Sequence, residues 1–222
     1  ETDLARTRIA LMNVNLIAVD EAHCISEWGY DFRPSYLNIA DIRPLHKKAP
    51  IVALTASATP PVVKDIQQKL QFKKTNVIAK SFARENLAYF VNWDEQKIDK
   101  AERIAKKLKG SGIIYARSRM GTERITRALK ERGLSVDFYH AGLEAQARSE
   151  KQNSWFLGKT QIIVATNAFG MGIDKANVRF VLHFDIPDAL ENYYQECGRA
   201  GRDGKKAFSV ALITSKDVEH FE

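Results

Sequence analysis

Long apolar runs are missing from this sequence. No 18 consecutive apolar residues occur in its 222 positions, so no membrane-spanning helix is predicted. Cysteine is scarce: Cys24 and Cys197 stand far apart with no CxxC spacing. That argues against a disulfide framework or a structural zinc site and predicts a reduced, cytoplasmic setting. No secretory leader pattern is present either. The chain opens on ETDLARTR, a charged stretch that reads as a helix from the middle of a domain and predicts further residues upstream. Low-complexity tracts and strong internal repeats are absent, and so is a charged tail. The net charge of +7 divides into +3 over residues 1–82 and +4 over residues 83–222. Such a mildly basic balance suits nucleic acid without identifying it.

What is present is an alternation. Hydrophobic residues make up 45% of the chain, enough to bury one large or two small cores. Short runs rich in Val and Ile predict strands at 15–20, 51–56, 86–91, 112–116, 135–140, 161–166, 179–184 and 207–213. Helical patterns lie between them: TPPVVKDIQQKLQ, DEQKIDKAERIAKKLK, SRMGTERITRALKERG, LEAQARSEKQNSWFLG and ALENYYQECGRAG. The pattern predicts an α/β fold with parallel sheets covered by helices. A boundary is predicted near SFAREN (81–86). Two strands before it are too few for a whole doubly wound domain, and six after it suffice. Residues 1–82 therefore read as the end of one domain and 83–222 as a complete second one. In such sheets function gathers beyond the carboxyl ends of the strands. Asp20 and Glu21, Thr55 to Thr59, and Thr166 to Asp174 all fall there.

The stretch VDEAHCISEWGYDFRP (19–34) joins a buried strand to two carboxylates, an imidazole and an aromatic cluster. Adjacent carboxylates at a strand end suit nucleotide hydrolysis. Asp20 can hold Mg²⁺ against phosphates, and Glu21 can orient or deprotonate the attacking water. His23 can couple that site to another by hydrogen bonds. The bland alternative is a polar strand end followed by Trp28, Tyr30 and Phe32 packing as core.

DEAHCISEWGYDFRP resembles motif II and the aromatic-rich loop of the RecQ family of DNA helicases, in superfamily two. ALTASATP (53–60) resembles motif III, GIIYARSR (112–119) motif IV, and FYHAGL (138–143) is also family-like. IVATNAFGMGIDKANVRFVLHFDIP (163–187) resembles motif V with its following strand, and YYQECGRAGRDG (193–204) motif VI. The order is the family's, over most of the chain. DEAD-box RNA helicases would carry Asp in place of His23. DEAH-box RNA helicases lack the aromatic loop and usually carry Arg where Glu196 stands.

The resemblance implies tandem RecA-like domains, the first incomplete, and ATP-dependent 3′-to-5′ unwinding of DNA in repair and recombination. It implies ATP and Mg²⁺ as cofactors, no zinc site within this chain, and single-stranded and partly duplex DNA as partners. A monomer in the cytoplasm, at the bacterial nucleoid and away from membranes, is expected. By the same resemblance Asp20 binds Mg²⁺, Glu21 activates water, and His23 links them to motif III and to the loop where Trp28, Phe32 and Arg33 sense single-stranded DNA. Ser118, Arg119 and Thr166 would meet DNA, Gly170 and Gly172 would permit close backbone approach, and Asp174 would meet the ribose. Gln195, Arg199 and Arg202 would face the γ-phosphate, with Arg202 the arginine finger. Spacings of four and three predict these three on or near one helical face. Core packing of the aromatics and a surface salt-bridge helix remain the alternatives, and His140 and His183 read as structural.

Such an enzyme needs a phosphate-binding GxxxxGK[ST] loop. The sequence offers only Gly158-Lys159-Thr160, with Asn153 where the first glycine belongs and a strand following instead of a helix. It reads as a turn. The true loop is expected upstream of residue 1, and the family's four-cysteine zinc and winged-helix modules downstream. Two rivals stand beside the helicase reading: an inactive nucleic-acid-binding module, and an RNA-directed ATPase of the same superfamily.

Overall fold

The computed structural model describes residues 3–29, 31–81, 83–170 and 173–221. Two compact units divide between Ser81 and Phe82. In the first, helix α1 (Asp3–Leu11) precedes strand β1 (Ile17–Val19), a 3₁₀ turn (Ala22–Ile25) and a longer 3₁₀ segment (Pro34–Ile42). Strand β2 (Ile51–Ala53) and helix α2 (Pro60–Lys69) follow. β1 and β2 pair in parallel, Ile17 opposite Ile51. Pro60 and Pro61 open α2, where a missing N–H is harmless because the first turn has no acceptor for it. Val62 and Ile66, one turn apart, turn into a core with Val19, Ala22, Ile25 and Leu70. Leu16, Val52 and Leu54 stay exposed.

Among its described residues the second unit holds six strands, all parallel: β3 (Leu87–Trp93), β4 (Ser111–Tyr115), β5 (Val136–Tyr139), β6 (Ile162–Ala165), β7 (Val178–His183) and β8 (Ala207–Ile213), in the spatial order β3-β8-β7-β4-β6-β5. Helices α3 (Lys97–Leu108), α4 (Arg119–Glu131), α5 (Ala145–Phe156) and α6 (Leu190–Cys197) connect them, and α7 (Ser215–Phe221) follows β8. Alternate strand residues feed opposite faces of the sheet. Ile113, Ile163 and Val181 pack with Trp155 of α5 and Cys197 of α6. Ile114, Val164 and Leu182 pack with Ala101 and Ala105 of α3 and with Ile125 and Leu129 of α4. Both faces are thus covered, which is why these strands read as continuous apolar runs. At Gly112 an added Cβ would lie 2.1 Å from the Phe180 ring, so only glycine lets β4 and β7 approach as they do.

All eight predicted strands form: β1, β2, β5 and β6 are trimmed, β4 and β7 are shifted one residue towards the N-terminus, β3 ends two residues later at Trp93, and β8 keeps its predicted bounds. The 3₁₀ segment at Pro34–Ile42 and helix α7 were not predicted. Motif VI departs from its prediction more consequentially: α6 stops at Cys197, so Arg199 and Arg202 lie in the turns beyond it and do not share a helical face with Gln195. Gly201, at φ +64, takes the left-handed conformation that carries the chain away from a helix. The Gly158-Lys159-Thr160 tripeptide is a turn between α5 and β6, its Lys and Thr amides donating to the Ser154 carbonyl and Gly158 at φ +77.

Candidate functional site

In the first unit the site begins where β1 ends. Asp20 is exposed and its Oδ1 accepts the Glu21 backbone N–H at 2.9 Å. Glu21 is half-buried and left-handed, φ 48 and ψ 42, which turns the chain directly into the buried 3₁₀ turn holding His23 and Cys24. His23 is 1% exposed. Its Nδ1 lies 3.0 Å from Thr55 Oγ1, just beyond β2, and 3.5 Å from the Glu21 carboxylate. Burial lowers the His23 pKa below the ordinary histidine value, against an upward pull from Glu21, and so favours the neutral imidazole.

The network continues towards the aromatic loop. His23 Nε2 lies 3.6 Å from Cys24 Sγ, which lies 3.6 Å from Asp31 Oδ2, and Asp31 pairs with Arg33. Burial pushes the Cys24 thiol up to about 11, with Asp31 adding to the effect. The Arg33 backbone N–H donates to the Cys24 carbonyl at 2.8 Å, closing the loop at its base. Trp28 at the tip is 79% exposed, which removes the core-packing alternative for that residue; Phe32 is half-buried. Tyr30 lies outside the described residues. Thr55, Cys24 and Asp31 were not singled out from the sequence, although Thr55 falls in a loop flagged as a strand end.

In the second unit the expected residues collect beyond β4 and β6 and after α6. Ser118 caps α4, its Oγ accepting the Gly121 N–H at 3.0 Å. The Arg119 guanidinium rests against Gly142 of the FYHAGL turn, where a Cβ would come within 2.9 Å of it. Thr166 is buried and its N–H donates to Tyr139. Gln195 is half-buried on α6. Arg199 donates through Nη1 to the Gly170 carbonyl, while its buried Nε has no hydrogen-bond partner among the described residues. Arg202 is exposed and donates to Asp174 Oδ1 at 2.8 Å. Gly172 lies outside the described residues.

A buried pair anchors α6. Glu196, 7% exposed, meets His183 Nε2 at 2.9 Å, and the His183 ring stacks on Tyr115 with centroids 5.6 Å apart. Cys197 Sγ and Ser209 Oγ lie 2.8 Å apart, and burial pushes that thiol up to about 11 as well. His183 is thus built into the packing, as is His140, whose Nε2 lies 3.2 Å from Glu123. Glu196 escaped prediction: a glutamate beside Gln195 on an amphipathic helix gives no sign that it will be buried.

Each unit, taken by itself, carries donors of a kind that a magnesium nucleotide uses. Two carboxylates with accessible oxygens stand at a strand end, as a hard cation requires. An orphaned Arg199 Nε and the exposed Arg202 fork are suited to phosphate oxygens.

Residues 2–66 match the DEAD/DEAH box helicase family, and residues 96–204 the helicase conserved C-terminal domain. The ATP-dependent DNA helicase RecQ of Bacillus subtilis is 47% identical over 211 residues, which are 93% of this chain and 35% of that protein. RecQ of Pasteurella multocida is 44% identical over 94% of this chain and 33% of its own length. The chain therefore spans about a third of the length of these curated relatives. Among solved structures, Mycobacterium smegmatis helicase Lhr bound to single-stranded DNA and AMP-PNP aligns at TM-score 0.77 with 22% identity, covering 95% of this chain and 30% of that one. Saccharomyces cerevisiae Dbp5 bound to RNA and ADP BeF3 aligns at 0.75 with 21% identity, covering 98% and 58%. These likenesses establish the tandem RecA-like fold. The motif series, the family matches and the identity to its relatives place the chain in the RecQ family of superfamily-two DNA helicases.

Proposed function

We propose that this chain is part of an ATP-dependent DNA helicase of 3′-to-5′ polarity, acting in repair and recombination in the cytoplasm at the nucleoid. The observation that carries the reading is the contact series from Glu21 through His23 and Cys24 to Asp31 and Arg33, which ties a water-activating carboxylate to a loop with an exposed tryptophan. Asp20 would hold the Mg²⁺ of the nucleotide. Glu21 would take the proton of the attacking water while neutral His23 keeps the carboxylate oriented. Arg199 and Arg202 would neutralise charge on the γ-phosphate, and Asp174, now paired with Arg202, would meet the ribose. Bases stacking on Trp28 and Phe32 would reposition the loop and, through Asp31 and Cys24, the histidine.

The deciding experiment is steady-state ATPase of the complete protein with single-stranded DNA, single-stranded RNA or neither. Strong stimulation by DNA supports the reading, and equal or greater stimulation by RNA overturns it in favour of an RNA-directed enzyme. No stimulation by either supports the inactive binding module.

A further inference from the structure

Three different ligand atoms converge between the catalytic turn and the aromatic loop. His23 Nε2 and Cys24 Sγ are 3.6 Å apart, and so are Cys24 Sγ and Asp31 Oδ2. All three atoms lie within 4.8 Å of one another. A tetrahedral zinc with a thiolate at about 2.3 Å and an imidazole at about 2.0–2.1 Å holds those two donors roughly 3.6 Å apart. The sulfur and nitrogen therefore already sit at the two ends of a coordination edge.

The groups behind these ligands are also in order. His23 Nδ1 faces Thr55 Oγ1 and the Glu21 carboxylate. With its proton on Nδ1, the ring turns its Nε2 lone pair towards Cys24. A carboxylate behind the imidazole is the usual support of a metal-bound histidine. Arg33 supports Asp31 from outside, and the carboxylate keeps further lone pairs for a cation. The positive Arg33 also selects. It opposes any ion that relies on charge alone, and Mg²⁺ or Ca²⁺ would find one carboxylate where they need several oxygens. A softer ion gains from the sulfur.

We propose that His23, Cys24 and Asp31 form a binding site for a soft divalent cation of the zinc class, with ligands other than the Asp20 carboxylate. On binding, the Cys24 S–H bond breaks, the proton leaves to solvent, and the sulfur pair forms the metal bond without change of oxidation state. A water completes the tetrahedron. The cation would join the 3₁₀ turn to residue 31, pinning both ends of the loop that carries Trp28. The sequence masks such a site because its cysteine stands alone, beside a histidine and seven positions before its aspartate.

The test is titration of the metal-free chain with Co²⁺ under a non-thiol reductant. A thiolate-to-cobalt charge-transfer band saturating at one equivalent, displaced by Zn²⁺ but not by Mg²⁺, is expected. Cys24→Ser should abolish the band, Cys197→Ser should leave it, and Asp31→Asn should weaken binding about tenfold or more. No band, a band surviving Cys24→Ser, or unchanged affinity in Asp31→Asn would overturn the site. If Cys24→Ser fails to fold by circular dichroism, Asp31→Asn decides, because residue 31 is half-exposed. In the complete protein, zinc occupancy should depress DNA stimulation of ATPase more than DNA-independent turnover. That consequence rests on the helicase reading, whereas the cobalt spectrum does not, so the two can fail separately. Unchanged stimulation at full occupancy would overturn the pinning while the site stood.

Discussion

The two units hold their candidate residues by different means. In the first unit, Glu21 and Asp31 are tied together through side chains around one buried histidine, above a small core under a two-stranded sheet. In the second, Arg199 leans on a backbone carbonyl and Arg202 on a surface aspartate. Their segment is anchored below by the buried Glu196–His183 pair and a six-stranded sheet packed on both faces. Side-chain networks transmit change, because a shift of one member forces the next. Backbone anchoring resists it. On the proposed reading, the contrast suits sensing in the first unit and rigid presentation of charge in the second.

The coarsest way to break this contrast is to separate the units. Residues 83–222 alone are expected to melt cooperatively, followed by circular dichroism, and residues 1–82 alone to show no cooperative transition. A folded 1–82 beside an unfolded 83–222 would reverse the assignment. Next in size is chemistry. In the complete enzyme Glu21→Gln is expected to lower turnover by roughly 10²–10⁴-fold while leaving nucleotide affinity within a few-fold, because the amide keeps the shape and cannot take a proton. Equal losses of affinity and turnover would make Glu21 structural.

Packing in the second unit comes third. Trp155 is fully buried, with its Nε1 donating to the Gly112 carbonyl at 3.1 Å. Trp155→Ala should cost about 3–5 kcal/mol, read from denaturant unfolding. Fourth is the buried ion pair of Lys97 and Asp217, 2.6 Å apart, with Asp217 also accepting from Thr214. Burial alone would raise the Asp217 pKa, but the Lys97 and Thr214 hydrogen bonds outweigh it and hold the carboxyl below its usual value. The depressed group contributes stability that is present above the ordinary aspartate pKa of about 4 and lost as pH falls through the lower folded value. Asp217→Asn should cost about 3 kcal/mol at neutral pH and converge with the parent protein in strong acid. A constant difference down that limb would refute the pairing. The smallest structural effect belongs to the loop: Trp28→Ala should shift stability by no more than about 0.5 kcal/mol, as exposed positions do. In the complete enzyme it should nonetheless lose DNA stimulation. A large melting shift with stimulation intact would return the tryptophan to a packing role.

The strands were legible because a sheet covered on both faces demands runs such as Gly112–Tyr115 and Ile162–Ala165, where every residue is apolar or small. The carboxylate pair and the aromatic loop were legible because their letters sit side by side. What escaped had its cause at a distance. Thr55 meets His23 across 32 positions and Glu196 meets His183 across 13, contacts that no local period records. The motif VI arginines were misplaced because a spacing of four and three is also compatible with turns, and the chain leaves the helix after Cys197 through the Arg199-to-Glu196 and Ala200-to-Cys197 turn bonds before left-handed Gly201.

The conformation of Glu21 bears on how this protein would respond to selection for heat resistance. A left-handed backbone costs a residue with a Cβ about 1–2 kcal/mol relative to glycine, and asparagine tolerates it better than glutamate does. Variants scored only on remaining folded are therefore drawn towards Gly or Asn at position 21. Either change relaxes the turn and deletes the carboxylate. If Glu21 activates water as proposed, a stability screen of this protein would enrich for variants that have lost that group, so any such library needs an activity filter at that codon.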